Sequence, residues 1–156
     1  MDEEKFTTEV LNAEETMYRI AKSILIYDCD CEDAVQEAVL KAFSKLRSLR
    51  EERYFKTWLI RILINECYRK KKVESKIVPF EEYAVCEPSN NDNYSYLYQA
   101  VLSLKEPIRI VIVLHYIEGY SVEEIGKILK LPSGTVKSRL HTGRKLLREE
   151  LEDEKL

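Results

Sequence analysis

The sequence predicts an all-α protein made of two small helical domains joined by a flexible linker, and three observations carry that prediction. Apolar residues recur every three or four positions over most of the chain, the period of a helix with one buried face. Only four glycines and four prolines occur in 156 residues, too few to turn the many short strands of a β protein. Between residues 73 and 94 the periodicity stops, and Pro79, Pro88 and the polar run Ser89-Asn90-Asn91-Asp92-Asn93 take its place, which is linker chemistry. The expected boundaries are therefore 1–72 for the first domain, 73–94 for the linker and 95–156 for the second domain.

Met17, Ile20, Ala21, Ile24 and Leu25 mark a first helix, and Ala34, Val35, Ala38, Val39, Ala42, Phe43 and Leu46 mark a second. The segment Tyr27 to Glu32 between them is rich in helix-capping types and reads as a short turn. A polar gap, Arg47 to Arg53, leads to a third helix from about Tyr54 to Lys72, with Phe55, Trp58, Leu59, Ile62, Leu63 and Cys67 as its expected buried stripe. After the linker, Tyr96, Leu97, Ala100, Val101 and Leu104 open the second unit. Pro107 suits the first turn of the next helix, where its missing N–H is harmless, and Glu118-Gly119-Tyr120 closes that helix near His115. Ser121-Val122-Glu123-Glu124 then has the spacing of a capping box.

Several function classes fall away early. No apolar run nears the roughly 18 residues of a membrane span, and the acidic start Met1-Asp2-Glu3-Glu4 is unlike a secretory signal. The chain is expected to stay in the cytoplasm and not to be a membrane protein. Cys29, Cys31, Cys67 and Cys86 are expected to be reduced thiols, because one Cys-x-Cys without a second pair or a nearby His is a weak metal signal. Neither cofactor nor metal nor small-molecule substrate is expected.

Net charge of −3 conceals a segregated distribution. Residues 1–40 hold 3 Lys/Arg against 11 Asp/Glu, whereas residues 41–72 hold 11 against 3. A basic block inside an acidic protein points to a local polyanion contact. Solvated helical faces also carry charge, but an excess of this size concentrated in 32 residues favours the contact.

The segment Ser121 to Leu140 contains the pieces of a helix-turn-helix. Val122, Ile125, Ile128 and Leu129 line one side of a short helix, and small Gly126 admits the following helix closely. Leu131-Pro132-Ser133 makes the turn, with Ser133 expected to cap the next helix, and Val136, Leu140, Leu146 and Leu147 are expected to anchor it inward. Gly134 and Thr135 lie in its first turn, where free amides suit a phosphate. Lys137, Ser138, His141 and Thr142 can share a face toward base edges, and Arg139, Arg144, Lys145 and Arg148 suit flanking phosphates. An amphipathic surface helix is the plain alternative, yet it does not require this order of cap, turn, small residue and basic face. Gly143, mid-helix, is expected to cost about 1 kcal/mol relative to Ala.

In the first unit, Arg53 to Arg61 interleaves aromatics with cations, a composition suited to single-stranded nucleic acid. Phe55, Trp58 and Ile62 follow a helical stripe and are expected in the core. Arg53, Tyr54, Lys56, Arg61, Asn65 and Arg69 are the expected contacts.

Asp33 to Phe43 looks like the clamp-docking helix of sigma region 2, and Tyr54 to Asn65 like the segment that melts and reads the minus-ten element. Glu118 to Gly126 and Ser133 to His141 look like the region 4 helix-turn-helix that binds the minus-thirty-five element. Over residues 13–151 the chain thus resembles the extracytoplasmic-function (ECF, group IV) sigma factors of the sigma-70 family. The resemblance implies a non-enzymatic initiation factor whose partners are core RNA polymerase (beta-prime clamp and beta flap), promoter DNA and an anti-sigma factor. It implies clamp contacts at Asp33, Gln36, Glu37 and Leu40, and capture of a flipped base by the loop from Leu49 to Lys56 above Asn65. The acidic linker would run toward the RNA exit path. Two features depart from the family pattern: Leu49 to Arg53 holds no obvious base-specific residue, and Pro107 stands later than the usual proline.

Two rival functions would make other demands on the sequence. A one-component or response-regulator factor would need a receiver or ligand domain in residues 1–95, where no such pattern occurs. A nuclease would need clustered carboxylates for a metal. The cluster Asp28, Asp30, Glu32 and Asp33 is better explained by a turn and a helix start.

Overall fold

The computed structural model describes residues 1–76 and 96–154. The chain divides into two compact units, Met1–Ser89 and Asn90–Leu156. Among the described residues there are seven α-helices and no β-strand. The expected linker, with Pro79, Pro88 and Cys86, lies outside the described residues except at its start, where residues 73–76 continue the third helix.

The first unit is a three-helix bundle of α1 (Glu3–Ile24), α2 (Asp28–Ser44) and α3 (Phe55–Lys76). Helix α1 begins about four turns before Met17, the first apolar residue that announced it. The Asp2 carboxylate accepts from the Lys5 amide at 2.7 Å, and Glu3 and Glu4 complement the positive end of the helix. Its buried face runs from Phe6 through Ala13, Met17, Ile20 and Ala21 to Ile24. Burying side chains as large as Met17 and Ile20 stabilises by about 1.5–3 kcal/mol each.

Helix α2 buries Ala34, Ala38 and Ala42, spaced by four, so its backbone can lie close to both neighbours. No side chain caps it. Asp28 is its first residue and accepts from Lys22 at 2.9 Å, tying the end of α1 to the start of α2. Cys31 and Cys67 are free and buried, and burial pushes Cys31 up to about 12 and Cys67 also upward. Cys29 is disulfide-bonded, which corrects the expectation of reduced thiols throughout. It sits half-buried in the first turn of α2.

Helix α3 buries Phe55, Leu59, Ile60, Leu63, Ile64 and Cys67. Trp58 and Ile62, expected in that stripe, are only half-buried at its margin. The isoleucines at 60 and 64 turn the apolar face away from them. Between α2 and α3 the chain makes two 3-10 turns, Leu46–Ser48 and Glu52–Tyr54, with no fully buried side chain in either.

The second unit contains α4 (Tyr96–Ser103), α5 (Glu106–Ile112), α6 (Val122–Leu129) and α7 (Ser133–Glu154). Pro107 lies in the first turn of α5 as expected. That helix widens into a π-turn over Val113–Ile117 before Gly119, at φ +80°, ends it. The capping box at α6 is formed in both directions: Ser121 Oγ accepts from the Glu124 amide at 3.1 Å, and Glu124 accepts from the Ser121 amide at 3.3 Å.

Candidate nucleic-acid interface

Helix α6, its turn and α7 form the helix-turn-helix. Ile125 and Ile128 of α6 are buried with Val136 and Leu140 of α7. Lys130 ends α6 in the left-handed region, at φ 57°, and the Leu131 amide reaches back to the Gly126 carbonyl at 2.9 Å. A Cβ at Gly126 would meet the Leu131 carbonyl at 2.9 Å. Its smallness therefore admits the backbone of the turn itself rather than the following helix.

Helix α7 starts at Ser133, one residue earlier than a capping serine would allow. The Pro132 carbonyl receives the first helical bond, from Val136 at 3.2 Å. Gly143 is buried, and a Cβ there would lie 2.6 Å from Ile112 of α5 and 3.0 Å from Ile108. The glycine that intrinsic propensity marks as a cost is what lets α5 and α7 touch. Leu146, expected inward, is 39% exposed, because Leu140, Gly143 and the half-buried Leu147 already complete the inner stripe.

On the outer side, Lys137, Ser138, His141 and Thr142 are exposed and share one stripe at i, i+1, i+4 and i+5. Ser133 and Gly134 are exposed at its N-terminal end. Thr135 and Arg139 are half-buried on one flank. Arg144 lies on the other, where it donates to the Tyr116 hydroxyl at 3.1 Å. Tyr116 was not foreseen. It projects from the π-turn, with the His115 ring edge-on at 4.8 Å, and no local periodicity announces a π-turn.

In the first unit, Arg61, Asn65 and Arg69 are exposed and spaced by four, so they line one face of α3. Trp58 and Ile62 border that same face at 100° per residue. The aromatic ring expected in the core is thus partly available beside the polar stripe, while Phe55 is fully interior. Lys56 points elsewhere, about 140° from Arg61 around the helix. Arg53 is held by Glu51 at 2.6 Å, and its guanidinium lies 4.7 Å from the centre of the exposed Tyr54 ring.

Arg69 is fixed by Glu66, to which it donates from Nε at 3.1 Å and Nη2 at 2.7 Å. Lys41 of α2 pairs with the other Glu66 oxygen. Burial alone would push the Glu66 carboxyl up, but the hydrogen bonds from Lys41 and Arg69 outweigh it and hold the carboxyl below its ordinary value.

Asp33, Gln36, Glu37 and Leu40 are exposed along one face of α2, with Asp33 3.2 Å from Lys70 of α3. Leu40 is 65% exposed and, with Leu11 at 63%, borders a groove of about 480 Å³ between α1 and α2 that Val10, Met17, Tyr18 and Val39 also line. Leu11 was missed because it falls outside the buried stripe of α1, which is also why it is available. Among the described residues, no group of three or more His, Cys, Asp or Glu side chains could hold a metal ion. No helix among them is long and apolar enough to cross a membrane.

Comparison with known proteins agrees with this geometry. Residues 13–77 match the family model for Sigma-70 region 2, and residues 94–147 match that for Sigma-70, region 4. The chain is similar to the ECF RNA polymerase sigma factor SigW of Bacillus subtilis, 33% identical over 97% of this chain and 91% of the relative. It is also similar to the ECF RNA polymerase sigma-E factor of Escherichia coli K12, 31% identical over 76% of this chain and 72% of that one. Among solved structures, the sigma factor RpoE of Bartonella quintana in complex with the anti-sigma factor NepR superposes with a TM-score of 0.77 at 27% identity, covering 95% of this chain and 97% of that one. Two helical units with outward-facing polar stripes, matched in order by both sigma regions and along nearly the whole chain by a relative, make this protein a member of the ECF sigma factors of the sigma-70 family.

Proposed function

We propose that this sigma factor docks on the beta-prime clamp of core RNA polymerase with the face of Asp33, Gln36, Glu37 and Leu40, with Leu11 extending it. Residues 1 to the end of α3 act as region 2 and residues 95–156 as region 4, which rests on the beta flap. The stripe Lys137, Ser138, His141 and Thr142 reads the minus-thirty-five element, flanked by phosphate contacts from Ser133, Gly134, Thr135, Arg139 and Arg144. The stripe Arg61, Asn65 and Arg69, with Arg53 and Tyr54 just before the helix and Lys56 on a separate face of its first turn, engages the melting minus-ten element. Flipping a base out of the stack costs a few kcal/mol, which cation contacts along the strand and the bordering Trp58 ring help to offset.

The observation that carries this reading is that one chain presents two helical polar stripes, one led by a half-exposed tryptophan and one set in a helix-turn-helix. A single duplex-binding module would need only the second. The factor works in the cytoplasm, beside the polymerase, and an anti-sigma protein holds it inactive; the NepR-bound Bartonella neighbour supports that last step. No cofactor or small-molecule substrate enters the scheme.

Run-off transcription with core polymerase on a genomic promoter pool tests it. RNA chains should begin at defined positions only when this chain is present. Failure to bind core polymerase, or starts that do not depend on the chain, would overturn the reading.

A further inference from the structure

The first three turns of α1 precede the segment that matches sigma region 2, which begins at residue 13, yet they are built into the far side of the bundle. Phe6 is 5% exposed. Its ring meets Phe43, at the end of α2, edge-on at 5.3 Å, and Phe55, at the start of α3, at 5.6 Å. Those two rings are the anchor points of the loop 45–54, so one side chain from α1 closes both. Lys5, the neighbour of Phe6, pairs with Glu52, which opens the 3-10 turn carrying Arg53 and Tyr54.

Glu52 also takes the N-terminal ammonium of Met1, at 3.0 Å, so the grip on the loop comes from the start of α1, and little else holds it. Leu46 and Leu49 are half-buried, and Arg47, Ser48, Arg50, Glu51 and Arg53 are exposed. Ordinary packing of an N-terminal helix accounts for a buried phenylalanine. It does not account for a lysine of that helix seeking a carboxylate inside an otherwise exposed loop.

We propose that Lys5 and Phe6 are positioning residues for promoter recognition: they set the conformation of loop 45–54 and thereby how strictly the holoenzyme discriminates the base captured there. A loop held in its binding shape avoids the ordering cost that a slack loop would meet on engaging the strand. The inference rests on the reading above, in which this loop meets the melted minus-ten strand.

The test uses holoenzyme reconstituted from core polymerase and the full chain, transcribing a promoter pool randomised across the minus-ten element. Lys5→Met and Phe6→Ala should flatten base preference at one minus-ten position by about fivefold to tenfold, the low end of one lost base discrimination. Preference upstream and affinity for core polymerase should stay at the parent level. Phe6→Leu keeps an apolar side chain in the bundle, so it reads out the loop even if Phe6→Ala fails to fold. If Lys5→Met and Phe6→Leu lower the melting temperature while the preference profile stays intact, their role is structural and the inference is overturned. Arg50→Ala and Arg53→Ala, within the loop, separate the two levels. If they too leave the profile intact, the loop does not meet the strand and the functional reading itself fails; if they alone change it, only the brace fails.

Discussion

The two polar stripes are built in opposite ways. On and beside α3 most of the named cations are tied down: Arg69 to Glu66, Lys70 to Asp33 and, just before the helix, Arg53 to Glu51, while Arg61 has no ion pair among the described residues. On α7, Lys137, Ser138 and His141 have no ion pair among the described residues, and only the Arg144 flank is held, by Tyr116. Internal pairing lowers the charge available to a polyanion but fixes where the remaining donors point. Open cations keep their full charge and meet a rigid duplex whose phosphates are already in place. On the proposed reading, the difference suits a first unit that meets a flexible strand and a second that finds a duplex.

Gly143→Ala should destabilise the second unit by about 1–3 kcal/mol through overpacking against Ile112, read as faster amide exchange in α5 and α7, with upstream binding lost and the first unit unaffected. Lys137→Ala should weaken recognition of the minus-thirty-five element by about 1–3 kcal/mol at one base position if it reads a base edge. A uniform loss with a smaller salt slope would mark a phosphate contact instead. Run-off on upstream variants at two salt concentrations separates these.

Glu66→Gln should cost about 1 kcal/mol at neutral pH, near the scale of exposed pairs because Lys41 and Arg69 remain solvent-accessible. The folded carboxyl lies below its ordinary value, so its stabilisation is complete above the unfolded value near 4.5 and is lost as pH falls through the lower folded value. Acid unfolding curves of the parent should therefore fall more steeply in that window than those of Glu66→Gln. Finally, Lys130→Gly should stabilise the second unit by roughly 1 kcal/mol, by relieving a left-handed non-glycine residue, seen as a higher melting temperature with unchanged promoter preference.

The parts of this molecule legible in the sequence are those governed by neighbours along the chain. The Ser121–Glu124 box, Pro107 in a first turn, the helix-turn-helix spacing and the faces of α2 and α7 all follow from residues within one or two turns of each other. The phase of α3 was misjudged because Ile60 and Ile64 are as apolar as Trp58 and Ile62. Only the packing of α1 and α2 decides which pair goes inside. The start of α1 was hidden by its acidic first turn, whose single apolar residue, Phe6, acquires meaning only beside Phe43 and Phe55. Gly143 inverted its expected sign for the same reason: propensity is local, while Ile112 is 31 residues away in the sequence.

The close seat of Gly143 against α5 has a mechanical consequence. Ten residues, roughly 15 Å of helix, separate that contact from Ser133 at the reading tip. A tilt of about 4° about the seat would swing the tip by about 1 Å, enough to spoil hydrogen bonds that tolerate only a few tenths of an ångström. On the proposed reading, the glycine seat is the pivot on which the placement of that tip depends.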